Sequence, residues 1–349
     1  MLRSVEQFIF RNLTPLSVRH LPAPGIAGAD GLSAEVYRQL EKEFQTVPPV
    51  TMHHLEPELM AGVWSACRET LVAGPDRLLK EAVAVAVSAS NRCPYCVEAH
   101  TSFLGGASGA AGPELSAWAA ATGVRSQAAV ALPPFSREMA PSMLGTAVLF
   151  HYVNRMVNIF LDDTMMPVVG KLPLLRETAL RVMSATVSSR IAAIDVAPGS
   201  FLTPEPQGPL PAAFTWAASD SGVAGGLRRF AASASMAASM VLEPGVREVV
   251  DGVVSAWEGT PPGIGKGWLE PAVAGLQGLP RAQARIALLA AMASWAVDDG
   301  EVSEFRRAGG GDRALLDSAA WGSYLAAERI ASGLQPERGF SGPPARGSR

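Results

Sequence analysis

The chain has few cysteines and no excess of charge of either sign. Only 3 cysteines occur in 349 residues, and a small, odd number is not typical of a secreted protein held together by disulfides. The 29 basic and 32 acidic side chains give a formal net charge of −3. Because there is no basic excess to displace the counterions of a phosphate backbone, we expect no nucleic-acid partner.

Long apolar runs are also missing. The longest, residues 286–297, lies between Arg285 and Asp298, and it falls short of the roughly 20 residues that a membrane-spanning helix needs. Charged side chains interrupt residues 1–21, which therefore lack the continuous apolar stretch of a signal peptide. We expect a cytoplasmic protein without a membrane partner.

The sequence has little of the alternating apolar and polar pattern of half-buried strands. Alanine, leucine, methionine and glutamate are frequent instead, and these residues favour helix. The prediction is an all-α protein, with several helices beginning at proline, which suits a first helical turn. The predicted helices cover residues 34–45, 57–72, 75–89, 94–104, 142–161, 173–193, 226–241, 244–257, 281–296 and 312–333.

A proline-rich segment divides the chain into two halves. Five prolines between Ala197 and Pro211 remove backbone donors and exclude regular helix. With 48% apolar residues, each half can build its own core. We therefore expect a first domain over residues 15–196, a linker over 197–212, a second helical domain over 213–335 and a disordered tail over 336–349.

Two cysteines lie where a helix is predicted to begin. Pro94 directly follows Cys93 and suits a first helical turn, and Ser90 or Asn91 can cap the helix. The free amide groups and aligned peptide dipoles of a helix N-terminus stabilise a thiolate. We therefore expect a lowered pKa for the thiols of Cys93 and Cys96.

A histidine and a glutamate complete the motif. In a helix, Cys96 follows Cys93 by three residues and His100 follows Cys96 by four, so the three side chains lie on one face. Glu81 lies on the preceding predicted helix, from which its carboxylate can face His100 directly or through water. The motif brings together a nucleophile, a partner for a disulfide and a base.

Glutamate, eleven residues, CxxC, three residues and histidine resemble the signature of the alkylhydroperoxidase D branch of the carboxymuconolactone decarboxylase superfamily. The resemblance implies an alkylhydroperoxidase D-like helical fold, a homo-oligomer, and a thiol-dependent peroxidase with antioxidant activity and no bound metal or cofactor. It implies that Cys96 attacks the peroxide and Cys93 closes the disulfide. His100 would take the thiol proton, and Glu81 would pass protons onward.

The same resemblance implies two partners, a hydroperoxide substrate and a dithiol reductant such as a lipoylated or thioredoxin-like protein. Attack on the peroxide gives a sulfenic acid, which condenses with the second thiol to a disulfide. Tyr95 stands where the best known peroxidases of the branch carry a second histidine. This difference affects the expected path of the proton and the expected rate of peroxide reduction.

An internal repeat is suggested by a shift of 204 residues, which aligns residues 81–107 with 285–311 without a gap. Five small residues are then identical, and upstream Phe44 falls on Trp257 if the second copy is shorter by nine residues. Two unrelated alanine-rich segments could give the same matches. The motif positions correspond to Arg285, Val297, Gly300 and Glu304. The second copy therefore cannot carry out thiol chemistry, and we expect it to serve packing, in place of a neighbouring subunit's surface.

Other interpretations of the motif remain open. A CxxC pair with a histidine can hold zinc, although a closed site needs a fourth ligand, such as Cys67 or an acidic residue. Taken alone, Cys67 is interpreted as a small buried residue. A second alternative is the non-redox lyase chemistry of carboxymuconolactone decarboxylases, which needs acid and base groups but no cysteine pair. A third is an interaction protein in which the cysteines act as a redox sensor or a zinc clip.

Polar side chains form a stripe along the predicted helix over residues 142–161. They recur at helical spacing, at His151, Asn154, Arg155 and Asn158. We interpret this polar stripe as a solvated or interface face. The alternative is that it lines the cavity above Cys96 and helps to bind substrate.

Overall fold

The computed structural model describes residues 17–44, 48–105, 112–165, 184, 195–199 and 208–334. Helices account for the regular structure of these residues, in which an isolated bridge between Val18 and Leu161 is the one strand-like contact. The all-α prediction is confirmed. Within the same residues, no helix is both long enough and apolar enough to cross a membrane.

The first half of the chain contains helices α1 to α8. A 3-10 turn at Ile26–Gly28 precedes them, and α3 continues into a π-helical turn at Arg68–Val72. The helices are α1 (Gly31–Glu43), α2 (Pro48–Thr51), α3 (Pro57–Cys67), α4 (Arg77–Ser90), α5 (Pro94–Leu104), α6 (Pro113–Ala121), α7 (Arg125–Ala128) and α8 (Ala140–Phe160).

The second half contains helices α9 to α14. Short 3-10 turns at Ala212–Ala217 and Ser294–Ala296 lie before α9 and after α12. The helices are α9 (Ser221–Val241), α10 (Pro244–Ala256), α11 (Leu269–Val273), α12 (Gly278–Ala293), α13 (Asp299–Arg307) and α14 (Asp312–Ala331).

Most predicted long helices are present, and the differences have local causes. Helix α5 has the predicted bounds. Helix α9 begins earlier than predicted because the Asp220 carboxylate accepts a hydrogen bond from the Val223 amide at 3.0 Å and caps the helix there. The predicted helix over residues 173–193, apart from Ser184, and the tail after residue 335 lie outside the described residues. The domain boundaries remain predictions.

Helix α8 forms the centre of the fold. All of its residues except Ser142 and Asn158 are buried, and it contacts α4 and α5 of the first half and α12 and α14 of the second. A helix that is buried on nearly every side, its polar residues included, must be covered by other helices on every side. The two halves therefore share a core around α8.

Two helix pairs approach closely at glycine. At Gly226 of α9, an added Cβ would lie 2.7 Å from Ser65 O of α3, and at Gly322 of α14 it would lie 1.9 Å from Ala287 O of α12. Both distances are shorter than atoms in contact allow. The absence of a side chain at these positions therefore sets the spacing between the helices.

Helix bounds support the internal repeat. The shift of 204 residues moves α4 to 281–294 and α5 to 298–308, which nearly coincide with α12 and α13. Gly105 and Gly309 correspond under this shift, and both have a positive φ, of 52° and 95°. Upstream, a shift greater by nine residues moves α1 onto the bounds of α10. A chance match between alanine-rich segments does not account for this shared order of helices.

Candidate active site

The CxxC segment forms the connection between α4 and α5. Cys93 is the residue before α5, and its amide donates to Ser88 O at 3.0 Å. Pro94 opens the helix, so that Cys96 and His100 follow on consecutive turns. The antiparallel return of α5 along α4 brings the predicted residues together.

Neither Ser90 nor Asn91 caps α5, so that prediction is wrong. Cys93 itself holds the cap position, which leaves both residues too early in the chain. The Ser90 hydroxyl donates to Val87 O at 2.8 Å within its own helix. The Asn91 side chain reaches α8 instead.

Glu81 joins His100 to an arginine. His100 Nδ1 lies 2.5 Å from Glu81 Oε2, and Arg77 Nε lies 2.6 Å from Glu81 Oε1. Burial opposes ionisation of Glu81, but the charge of Arg77 and the contact with His100 hold the pKa of this carboxyl below its ordinary value. An ionised Glu81 accepts a hydrogen bond from the Nδ1–H group of His100 and leaves the ring's Nε2 free to act as a base.

A small enclosed cavity lies beside Cys96 and His100. Its volume is about 30 Å³, and its walls include Phe103, Phe150 and Tyr95. The rings of Phe103 and Phe150 meet the His100 ring edge-on, with centroids 5.1 Å and 4.6 Å away. A cavity of this size has room for one molecule about the size of water.

The Cys96 thiol is buried. Only 1% of the residue is exposed, and Cys93 and Asn154 are its polar neighbours. Burial and the neighbouring Cys93 raise the pKa of Cys96 well above its usual value, although Asn154 acts in the opposite direction. The prediction of a lowered pKa is therefore wrong for Cys96, because burial outweighs the helix terminus. The resting residue is therefore a thiol rather than a thiolate.

Cys93 borders an open groove on the other side of the CxxC segment. The groove has a volume of about 640 Å³ and is lined by Cys93 together with Ala89, Arg92, Pro94, Val97, Glu98, Thr101 and Ser102. The Arg92 guanidinium lies 4.7 Å from the ring centroid of Trp295, a partly exposed residue of the second half. The two cysteines thus line separate spaces, one enclosed and one open.

The polar stripe on α8 is buried, so the solvated interpretation is wrong. His151 and Asn154 are fully buried and Arg155 is 7% exposed. Helical spacing correctly places these residues on one face but does not show what covers that face. The face meets the CxxC segment on one side and the second half on the other.

The C-terminal part of the polar stripe, Arg155 and Asn158, links the CxxC segment to the second half. Asn158 Nδ2 donates to Asn91 O at 3.2 Å and to Ser294 Oγ at 3.0 Å. Arg155 Nε donates to Ala291 O at 2.8 Å. These bonds fix the position of the second half relative to the thiols.

The third cysteine, Cys67, lies on α3, apart from the CxxC segment in the chain. Cys67 is buried in the wall of the cavity beside Cys96, and burial raises the pKa of its thiol to about 12. It is a small buried residue, as predicted.

Across the residues that the structure describes, no three histidine, cysteine, aspartate or glutamate side chains are grouped to hold a metal ion.

Two residues at the site were missed as functional partners by the sequence motif. Arg77 precedes Glu81 by four residues on α4, and this i,i+4 spacing could have indicated the ion pair. Asn154 is separated from Cys96 by a long stretch of chain, and only its place in the polar stripe pointed to it.

Comparisons with known proteins show the family of this chain. Residues 57–133, from α3 through α7, match the model of the carboxymuconolactone decarboxylase family. A Mycobacterium tuberculosis protein named alkyl hydroperoxide reductase is 34% identical over 333 residues, which cover 90% of this chain and 94% of the relative. No solved structure matches. This chain belongs to the carboxymuconolactone decarboxylase family.

Proposed function

We propose that this protein is a thiol-dependent peroxidase that reduces hydroperoxides through Cys96 and Cys93, with His100 and Glu81 as a proton relay. The observation that carries the proposal is the contact of 2.5 Å between His100 and Glu81 beside the cavity that Cys96 lines. The name of the Mycobacterium tuberculosis relative supports the same class of reaction.

The first step is removal of the Cys96 proton. Because burial keeps Cys96 protonated, a base must act as the peroxide binds. His100 lines the same cavity, and Glu81 stabilises the imidazolium that forms when Nε2 accepts the proton. Arg77 keeps Glu81 ionised for this role.

The second step transfers one oxygen atom to sulfur. The Cys96 thiolate attacks the terminal peroxide oxygen, the O–O bond breaks, and the alkoxide leaves with the proton that His100 holds. The products are an alcohol, or water from hydrogen peroxide, and a sulfenic acid on Cys96. The Cys93 thiol then attacks the Cys96 sulfur, and the sulfenic oxygen leaves as water with the Cys93 proton as the disulfide forms.

The enclosed cavity favours small hydroperoxides. A space of about 30 Å³ in the resting protein has room for about one water molecule, so hydrogen peroxide needs less widening of the cavity than any larger peroxide. A longer alkyl hydroperoxide requires the aromatic walls, among them Phe103 and Phe150, to move apart. We expect a lower KM for hydrogen peroxide and short alkyl hydroperoxides than for bulky ones.

We assign the open groove as the route for the reductant, which must first uncover Cys93, because only 1% of this residue is exposed. Cys93 borders this groove, whereas Cys96 lines the enclosed cavity. An external dithiol, such as a lipoylated or thioredoxin-like protein, attacks the Cys93 sulfur from the groove and releases Cys96 as the leaving thiolate. A second thiol of the reductant then displaces Cys93 and restores the dithiol site.

The test is mass spectrometry of single-cysteine variants after one equivalent of hydrogen peroxide. Wild type should gain an intramolecular disulfide. Cys93→Ser should stop at a sulfenic acid on Cys96, which a dimedone adduct would report, and Cys96→Ser should consume no peroxide. Circular dichroism of each variant checks that the helical fold is intact. A folded Cys96→Ser protein that reduces peroxide at the wild-type rate would refute the proposal.

A further inference from the structure

The cavity beside Cys96 comes closest to solvent at two residues. Of the 14 residues that line the cavity, 12 are at most 7% exposed, and the other two, Phe44 and Pro49, are partly exposed. Phe44 directly follows α1, and Pro49 lies in α2. These two side chains therefore form the part of the cavity wall that solvent reaches.

Of the two, Phe44 can move aside without a change in the backbone. The ring of Pro49 is bonded to its own backbone nitrogen, whereas the Phe44 ring turns about its side-chain torsions. The end of α1 is held in place, because Arg68 Nε lies 2.8 Å from Glu43 Oε2 and Arg68 is buried. Opening of the wall at this point therefore requires rotation of the Phe44 ring rather than displacement of α1.

Weak contacts hold the Phe44 ring in its closed position. Its centroid lies 6.1 Å from the ring centroid of Trp64 and 6.2 Å from that of Phe103. The guanidinium carbon of Arg77 lies 5.4 Å from the same centroid. Aromatic and cation–π contacts at a partly exposed position are individually modest, and exposed side chains change rotamer rapidly. The ring can therefore leave its place without unfolding a helix.

The second half provides an internal comparison. Trp257 is the repeat counterpart of Phe44, and each of the two residues directly follows its helix, α10 or α1. Trp257 is 8% exposed, and its indole Nε1 donates to Thr260 O at 2.7 Å, which fixes the ring. The half without cysteines thus has a fixed ring at this position, whereas the half with the thiols has a partly exposed ring whose side chain can form no such bond.

We propose that the Phe44 ring is the gate of the cavity and the residue that limits the size of the hydroperoxide that reaches Cys96. This inference rests on the proposed thiol chemistry, to which it adds the path of the substrate. Phe44 and Pro49 are both uncharged and apolar, so the path favours neutral hydroperoxides with a small alkyl group. Behind the gate, Phe103 extends the path to His100, whose ring centroid lies 5.1 Å from that of Phe103.

The test compares the rates at which two neutral thiol reagents, the smaller iodoacetamide and the larger N-ethylmaleimide, alkylate Cys96. Each variant is made in a Cys67→Ser, Cys93→Ser background, in which Cys96 is the sole thiol of the chain. Both reagents react with the thiolate, so the ratio of the N-ethylmaleimide rate to the iodoacetamide rate cancels any change in the pKa of Cys96. Phe44→Ala should raise this ratio several-fold, and Phe44→Trp should lower it.

Trp216→Ala is the matched control. Trp216 is also partly exposed, and its ring centroid lies 6.2 Å from that of Phe214 in the second half. The variant therefore removes a similar ring that does not line the cavity, and it should leave the ratio of the two rates unchanged. An unchanged ratio in both Phe44 variants, or an equal change in Trp216→Ala, would overturn the inference.

Phe44→Trp also separates a gate from a general loss of stability. A less stable protein exposes Cys96 to both reagents, which would raise the ratio in either Phe44 variant, whereas a larger ring at a gate lowers it. If Phe44→Ala does not fold, Phe44→Leu takes its place: a raised ratio supports the inference and an unchanged one overturns it.

Peroxide kinetics provide the second measurement. In the chain with all three cysteines, kcat/KM for cumene hydroperoxide relative to hydrogen peroxide should rise in Phe44→Ala and fall in Phe44→Trp. A relative kcat/KM that is the same in both variants as in wild type would contradict the size limit. Because alkylation uses no peroxide, a wild type that reduces no hydroperoxide would refute the proposed function, while the ratio of alkylation rates would still decide whether Phe44 is the gate.

Discussion

His100 Nδ1 and Glu81 Oε2 lie 2.5 Å apart across 19 residues of sequence. The other carboxylate oxygen of Glu81 meets Arg77 Nε at 2.6 Å. Each carboxylate oxygen of Glu81 therefore contacts a different group. One is the charged Arg77, and the other is His100, which can become charged. This pairing keeps a charge in the core and gives the imidazole a fixed orientation.

Glu81→Gln should lower the rate of peroxide reduction without removing either cysteine. The amide keeps the shape of the side chain but cannot stabilise a charged His100, and it leaves the Arg77 charge without its partner. We expect kcat/KM for hydrogen peroxide to fall by about tenfold to a hundredfold. Stopped-flow measurement of peroxide consumption in single turnover checks this.

Glu301→Gln serves as the control for that variant. Glu301 is a buried acid that pairs with Arg285 Nη2 at 2.9 Å in the second half, and Arg285 is the repeat counterpart of Glu81. Glu301→Gln should lower the free energy of unfolding but leave kcat/KM for hydrogen peroxide unchanged. Equal losses of activity in the two variants would mean that Glu81 acts only through the fold.

The Cys93→Ala, Cys96→Ala double variant separates the redox function from a lyase function. Both cysteines are small buried residues, and alanine removes only the sulfur atom of each, so the helical fold should remain. We expect peroxide consumption to fall to the rate of buffer alone. Turnover of a lactone substrate by the folded double variant would instead favour the non-redox branch of the family.

Asp317→Asn should change how stability depends on pH. Asp317 is 1% exposed on α14, and its nearest charge partner is Arg313 Nε at 3.6 Å. Burial, together with the nearby charge of Glu56, raises the pKa of this carboxyl to about 8. Its pKa in an unfolded chain is about 3.9, so folding favours the protonated form.

The difference between the folded and unfolded pKa of Asp317 decides in which direction stability changes with pH. The stability associated with Asp317 is fully present below about pH 4 and is lost as the pH rises toward 8. Asparagine does not ionise, so the variant should gain stability relative to wild type as pH rises across this range, on the order of 1 kcal/mol or more. Urea unfolding at a series of pH values tests this, with the exposed Asp312→Asn on the same helix as the control. Parallel pH curves for wild type and Asp317→Asn would contradict the assignment.

Gly322→Ala should destabilise the packing of α14 on α12. The new Cβ would lie 1.9 Å from Ala287 O, so the helices must move apart, at a cost of about 1–3 kcal/mol. Gly252→Ala in α10 is the matched control, since nothing lies within 4 Å of its added Cβ. That change should stabilise by about 0.5–1 kcal/mol, because alanine is the better helix former. Denaturant midpoints of the two variants should shift in opposite directions.

The sequence predicts helices best where both ends carry a local signal. Helix α5 has Pro94 in its first turn and Gly105, with a φ of 52°, directly after its last residue. The start of α9 was misplaced because Asp220 was not recognised as its cap. Short helices such as α6 and α13 have too few residues for a periodic pattern to separate them from loops.

At the site, the sequence predicts neighbours along one helix better than neighbours across the fold. The spacing of Cys93, Cys96 and His100 and the approach of Glu81 follow from helical geometry. The contact between Asn154 and Asn91 depends on how α8 crosses the CxxC segment, which no local pattern contains. The pKa of Cys96 was predicted in the wrong direction for the same reason, since its burial is a property of the whole core.

The bond from Arg155 to the second half ends on the carbonyl of Ala291 rather than on a side chain. Every residue type offers that carbonyl, so position 291 can change over evolutionary time while the bond persists. The second half therefore keeps this contact with α8 through the course of its backbone, whichever side chain stands at position 291. For this contact, the course of the backbone in the second half matters more than the identity of its side chains.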